Sequence, residues 1–338
     1  MKRFTLIYIL MTFCLGATYS QDVAFSQFYA SPLYLNPAMA GTGYGPRITL
    51  NYRNQWPGIG DGISAGYTTY MAGYDQHIDA LSGGIGVYLL ADQIADGILK
   101  DVTAALMYSV QIKLSRKFAM KMGIQGSYTN RRLDWDRLSF NDQIDPITGF
   151  FDEFGVPNPT NEPRPADLSL GYFDMGAGML FFSPKSYGGV AVQHILQPRE
   201  TFQADDNSRR KLRFNAHAGT VIKTNERNNV FFSPNIMYTY QSNFNQIALG
   251  MYFNYQFMYG GLWYRHTFEN SDAVMFLVGI NKGPIRFGYS YDITLSKLSG
   301  NSGGAHEISI TIRPKGGDNS INPNNRAGLI ECPAILNF

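Results

Sequence analysis

Alternation with a period of two residues, repeated from one end of the chain to the other, is the feature that most limits what this sequence can form. In residues 246–257, Ile247, Leu249, Met251, Phe253, Tyr255 and Phe257 share one face, while Gln246, Ala248, Gly250, Tyr252, Asn254 and Gln256 share the other. Residues 102–114 repeat the pattern, with Val102, Ala104, Leu106, Tyr108, Val110, Ile112 and Leu114 opposite Thr103, Ala105, Met107, Ser109, Gln111 and Lys113. Successive side chains of a strand point to opposite faces, so each segment has one apolar side and one small or polar side. No run of about 18 apolar residues follows the first twenty positions, which excludes a helical membrane protein. Strands of about 9–11 residues, apolar outside and polar inside, are the signature of a transmembrane barrel.

Fourteen such segments can be placed, the first near residues 47–53 and the last near 305–313. The expected fold is therefore all-β: a transmembrane antiparallel β-barrel of about 14 strands over residues 47–313, an even number as closed bacterial barrels require. Connections after even-numbered strands are mostly tight (115–117, 183–186, 258–259, 282–284), whereas those after odd-numbered strands include the long 134–166, 196–211 and 293–304. That parity predicts short periplasmic turns, long outer loops and both termini in the periplasm. The alternation slips at Phe173 and Asp174, where Leu168, Leu170 and Tyr172 give way to Met175, Ala177, Met179 and Phe181, which predicts a β-bulge. The rival is a soluble β-sandwich or propeller, but fourteen apolar faces cannot all meet across one thin core, whereas lipid covers them all.

Composition agrees with strands and turns: 14% aromatic residues, 35 glycines and only 16% charged residues. The net charge of +2 comes with no long basic run, so no nucleic-acid partner is implied. Residues 1–20 read as an export signal, with Lys2 and Arg3 before an apolar core and Thr18 and Ser20 before a cut ahead of Gln21. Bulky Phe13 ahead of Cys14 argues against lipidation, so Cys332 is left alone in the mature chain, which can form no intrachain disulfide. Residues 314–338, rich in Asn, Gly and Pro, form a periplasmic tail without a core of its own.

Candidate site residues lie on the polar faces. Arg47, Arg53, Lys121, Arg131, Arg265, Arg286, Asp292 and Glu307 are expected to face the lumen, either as paired and hydrated residues or as a solute path. Catalytic chemistry is poorly supported. Residues 300–304 match G-x-S-x-G around Ser302 but lack the helix that a nucleophile elbow needs, and the five histidines have no metal-ligand spacing. The loop 134–166 is acidic and carries five prolines, without the Gly-punctuated spacing of a calcium loop. It reads as a stiffened surface for partner contact, with Phe140, Phe150, Phe151 and Phe154 as the candidates. No enzyme activity, metal or cofactor is implied.

Three opening blocks carry a resemblance: Phe25-Ser26-Gln27-Phe28-Tyr29, Asn36-Pro37-Ala38-Met39-Ala40-Gly41 and Tyr52-Arg53-Asn54-Gln55-Trp56. They are followed in order by Ser139-Phe140-Asn141-Asp142, residues 189–198, Gly261-Leu262-Trp263-Tyr264-Arg265, Gly288-Tyr289-Ser290-Tyr291-Asp292 and Ala305-His306-Glu307-Ile308. Together these resemble the PorP/SprF family of Bacteroidetes outer-membrane proteins over essentially the whole mature chain. The resemblance implies a fatty-acid-transporter-like barrel of the type IX secretion and gliding motility apparatus. It further implies a large surface adhesin with a type B C-terminal domain as partner, exported or anchored with this barrel's help. Type IX translocon components and periplasmic ring or peptidoglycan-bound proteins would be further neighbours. The competing expectation is a channel for a hydrophobic small solute.

Residues 21–46 lack strand alternation yet carry Phe25, Phe28, Tyr29, Leu33, Tyr34 and Leu35, which are costly to leave in water. They are expected to form a plug at the periplasmic mouth, with a short periplasmic arm as the alternative.

Overall fold

The computed structural model describes residues 22–43, 45–58, 66–202, 208–225, 230–268, 273–295 and 303–314. The export signal at 1–20, the motif around Ser302, Cys332 and the tail beyond residue 314 lie outside the described residues. Fifteen β-segments form one antiparallel sheet: β1 (Arg47–Gln55), β2 (Tyr67–Ile78), β3 (Gly83–Ile94), β4 (Leu99–Lys113), β5 (Ala119–Leu133), β6 (Ser169–Phe182), β7 (Ser186–Gln193), β8 (Arg213–Thr220), β9 (Ile222–Asn225), β10 (Val230–Gln241), β11 (Phe244–Tyr255), β12 (Met258–Thr267), β13 (Ala273–Lys282), β14 (Ile285–Thr294) and β15 (Ala305–Ile312). Neighbours in sequence pair in space, and the ring closes where β1 pairs with β15. Segments β8 and β9 both pair with β10 and are two pieces of one stave. The break falls at Val221, whose N–H donates to the Lys185 carbonyl at 2.7 Å. Fifteen segments with two sharing a stave make a closed barrel of fourteen staves, as the alternation predicts.

The alternation decides which side of the wall is wet. Outward Leu106, Ile124 and Val278 are 70%, 59% and 61% exposed, while inward Ser109, Lys121 and Glu307 are fully buried. Polar residues on the inside and large apolar ones on the outside suit a wall that meets lipid.

Two expectations need correction. No bulge interrupts β6: it pairs with β5 in one unbroken register from Ala119 opposite Phe182 to Arg132 opposite Ser169. The apparent slip arises because the inward side of β6 changes character along its length. Tyr172 is buried on the lumen side and its hydroxyl accepts from Arg210 Nη1 at 2.6 Å, while Phe173 faces outward at 72% exposure. The second correction concerns the N-terminal segment. It does not start at the short-turn end of the barrel, where β15 finishes with Ile312 opposite Ile285. Asp22 sits at the end bearing the long connections, bound to His194 and Arg210 and to Gln241, the last residue of β10.

Candidate functional site

From Asp22 the chain runs down the lumen to Arg47, and every turn of it touches a different part of the wall. Its sequence suits that path. Prolines at 32 and 37 open a four-residue helix (Pro32–Leu35) and a 3-10 turn (Pro37–Met39), and a further 3-10 turn spans Phe28–Ala30. Short turns leave polar groups unpaired, and wall side chains take them up.

Three anchors hold the segment. At the long-connection end, Asp22 Oδ1 accepts from Arg210 Nε at 2.9 Å and from Nη2 on the same guanidinium edge, and Oδ2 meets His194 Nε2 at 2.6 Å. The other ring nitrogen, Nδ1, contacts Asp174. A carboxylate only accepts, so a carboxylate on each ring nitrogen requires the imidazolium form. Burial works against that charge, but Asp22 and the hydrogen bonds to Asp174 and Asp22 outweigh it and hold His194 above its ordinary value. Burial alone would raise the Asp22 carboxyl, yet Arg210 and His194 hold it well below the usual carboxylate range.

The second anchor is at the barrel seam. Glu307 accepts from the backbone N–H groups of Ser26 (2.7 Å) and Gln27 (3.1 Å) and from Arg53 Nη1 (3.2 Å). Arg53 Nη2 donates to Asp292 at 3.1 Å, and Arg265 reaches the same carboxylate at 3.3 Å. The third anchor lies near the short turns. Asp75 takes a two-pronged bond from Arg47 (2.8 and 2.9 Å) and the N–H of Gly41 (2.7 Å), while Lys121 donates to the carbonyls of Ala40 and Gly41. Gly41, at φ +61°, lies against Gly84: a Cβ on Gly84 would fall 2.3 Å from the Ala40 oxygen and 2.6 Å from the Gly41 Cα. Only glycine permits that approach.

Between the anchors the contacts are aromatic. Phe28 meets Trp263 edge-on at 4.9 Å, Tyr29 meets Tyr252 at 4.6 Å, and Arg286 stacks over Tyr259 at 3.8 Å and Tyr29 at 5.1 Å. Asn36 inserts its amide between the Met179 and Val190 carbonyls of β6 and β7.

The eight basic and acidic lumen candidates all lie on the inner side; seven are fully buried and Arg265 is partly so. Seven belong to the second and third anchors or their aromatic neighbours. Arg131 instead forks onto Asp101 (2.8 and 2.7 Å) and reaches Glu200 at 3.2 Å. Of the plug candidates, Phe25, Phe28, Tyr29, Leu33 and Leu35 are buried, and Tyr34 is half-buried against Tyr88 and Arg213. Sequence reasoning missed Asp22, Asp75, Asp174, His194 and Arg210. Asp174 carried a usable signal, a lone acid at an inward position of an amphipathic strand.

The loop candidates divide. Phe140 is half-buried on Trp135, with ring centroids 4.9 Å apart, whereas Phe151 and Phe154 are 54% and 89% exposed and Phe150 lies at 39%. Two recesses open to solvent flank the lumen segment. One is lined by Phe25, Phe28, Leu35, Met237 and Arg213, and the other by Tyr88, Asp92, Gln125, Arg131 and His194. Among the described residues, no group of three or more His, Cys, Asp or Glu side chains is placed to hold a metal ion.

A family model described as type IX secretion system membrane protein PorP/SprF matches residues 17–312. No curated protein matches the chain. Among solved structures, the CymD monoaromatic hydrocarbon channel is 11% identical with a TM-score of 0.49, over 90% of this chain and 96% of that one. A Pseudomonas aeruginosa FadL homologue is 14% identical with a TM-score of 0.47, over 84% of this chain and 94% of that one. The Acinetobacter baumannii outer membrane protein Omp33 is 7% identical with a TM-score of 0.44, over 81% of this chain and 100% of that one.

Proposed function

The chain belongs to the PorP/SprF family of type IX secretion system membrane proteins, and from that premise we propose that it is a non-enzymatic outer-membrane barrel that binds a secreted surface adhesin through its type B C-terminal domain. In this reading it helps to export the adhesin or to hold it at the cell surface. The observation that carries the reading is the filled lumen. Three charged anchors tie the segment from Asp22 to Gly41 to opposite parts of the wall, which suits a plugged scaffold better than an open pore. Binding then falls to the outside of the barrel and to its long connections. The segment is the plug, the long connections face outward, and the exposed Phe150, Phe151 and Phe154 offer apolar contact to the adhesin domain.

Affinity purification of the tagged barrel from detergent-solubilised native membranes tests this. A very large surface protein is expected to co-purify, and recovery of lipid or other barrels alone would sink the reading. The second reading, a channel for a hydrophobic solute, draws support from the apolar recess beside Phe28 and Met237 with Arg213 at its edge. An extractable amphiphile in the purified barrel, lost on Met237→Gln, would favour it.

A further inference from the structure

The wall is not of uniform height. Stave β6 is 14 residues long and pairs with β5 along its whole length, but β7 has only eight residues, and its ladder with β6 ends at Ala177 opposite Val192. Above that point β7 leaves the sheet. His194 takes φ +60° and is pinned inward by Asp174 and Asp22, and the chain turns into the connection to β8. One last bond, from Ile195 N–H to the Met175 carbonyl at 3.1 Å, closes the ladder.

Residues of an antiparallel strand bond alternately to one neighbour and then the other. The Leu168 carbonyl accepts from Leu133 of β5, and the Met175 carbonyl accepts from the β7 side, so odd-numbered residues of β6 face the notch. The N–H of Met175 is capped by the Asp174 carboxylate at 2.8 Å. For Phe173 and Gly171, the next two in that row, no backbone partner exists among the described residues. This edge is set in an apolar surround: Phe173 is 72% exposed and meets Tyr128 at a tilt, ring centroids 4.9 Å apart, and Ile195 and Leu196 across the notch are 43% and 50% exposed.

We propose that the notch above Ala177 is a strand-docking site, in which an extended segment of the partner polypeptide pairs with the Gly171–Phe173 edge of β6. Unpaired N–H and C=O groups beside lipid require partners, and another strand supplies both in register. The surround dictates the occupant's pattern. Its outward side chains join Phe173, Tyr128 and Ile195 and are apolar; its inward ones approach Asp174, His194 and the lumen recess and are polar. The site deepens the adhesin-binding reading and rests on it.

The test exploits the N–H of Phe173, which faces the notch and not β5. Phe173→Pro removes that N–H while leaving the β5 ladder intact, and Phe173→Ala removes the ring but keeps the N–H. Retained heat-modifiable migration on gels confirms folding. Capture of the surface protein is expected to fall about tenfold or more in Phe173→Pro, and by less in Phe173→Ala. Wild-type and Phe173→Pro barrels recovering equal amounts would overturn the site but leave the adhesin reading standing; a wild-type barrel recovering none would overturn both. Should Phe173→Pro fail to fold, a photo-crosslinking residue at Phe173 decides, with Phe181 on the paired part of the same face as the control. A cross-link to the surface protein from position 173 alone supports the site. Equal cross-linking from 181, or a product of twice the barrel's mass from a second copy of this chain, overturns it.

Discussion

Arg53 and Glu307 face each other across the seam where the first strand meets the last, with Nη1 3.2 Å from Oε2 and both side chains almost fully buried. The same carboxylate caps two N–H groups of the lumen segment, so barrel closure and attachment of that segment share one residue. Glu307→Ala leaves the buried Arg53 and Arg265 sharing the one Asp292 carboxylate on one side and two orphaned amides on the other. The expected loss is about 3–5 kcal/mol, read as a lower urea midpoint for the detergent-solubilised barrel. Single-channel conductance should rise with it, as it should when residues 21–45 are deleted. Conductance that stays low in the deletion would show that the segment is not what closes the lumen.

Gly84→Val should act on the lumen segment from the wall side. Its Cβ would lie 2.3 Å from the Ala40 carbonyl oxygen and 2.6 Å from the Gly41 Cα, both backbone atoms that cannot swing aside. A cost of about 1–3 kcal/mol is expected, with higher conductance or protease sensitivity near residue 41. Gly126→Ala, where nothing lies within 4 Å of the added Cβ, is the matched control and should change neither readout.

Strand positions were legible because each stave carries its own alternating pattern, and only register and closure require tertiary information. Arg47, Arg53 and Lys121 could be assigned inward for the same reason. Their partners could not be read, because Asp75, Asp292 and Glu307 meet them through pairing between staves and through a segment without periodicity. The slip at Phe173 misled because an inward-facing Tyr172 looks apolar in sequence, whereas in the barrel its hydroxyl carries a bond to Arg210. The path of the lumen segment was equally hidden: nothing in Asp22 alone says that its partners lie in the connection after β7.

The His194 link should be pH-dependent. Its folded value is raised, so the stability it contributes is fully present below its ordinary value near 6.5 and is lost as pH rises through the raised folded value. Asp22 stays ionised across that window because its own value is lowered, and its contribution fails only in acid, as pH falls below 3.8 through the lowered folded value. Hydrogen-exchange protection around Asp22, taken relative to the base-catalysed rate of free amides, is therefore expected to fall from neutral toward alkaline pH. His194→Gln should remove that dependence, and a variant retaining the wild-type profile would assign the titration to another group.

The long connection before β6 should separate binding from folding. Ile147 and Phe154 are 93% and 89% exposed, and each stands on a turn organised by an aspartate. Asp145 Oδ1 accepts from the N–H groups of Ile147 and Thr148, and Asp152 Oδ1 from those of Phe154 and Val156. The double substitution Ile147→Ser and Phe154→Ser removes no buried contact, so barrel stability should move by less than about 0.5 kcal/mol. If these tips meet the adhesin domain, its recovery on the tagged barrel falls sharply in the same variant. Asp145→Ala with Asp152→Ala keeps both apolar side chains but frees the turns, and ordering them on binding then costs entropy. That variant should bind more weakly than wild type and better than the double serine variant. Equal recovery by all three would move the contact away from this loop, and an effect of the aspartate changes alone would make the turn backbone, not the apolar tips, the surface that is recognised.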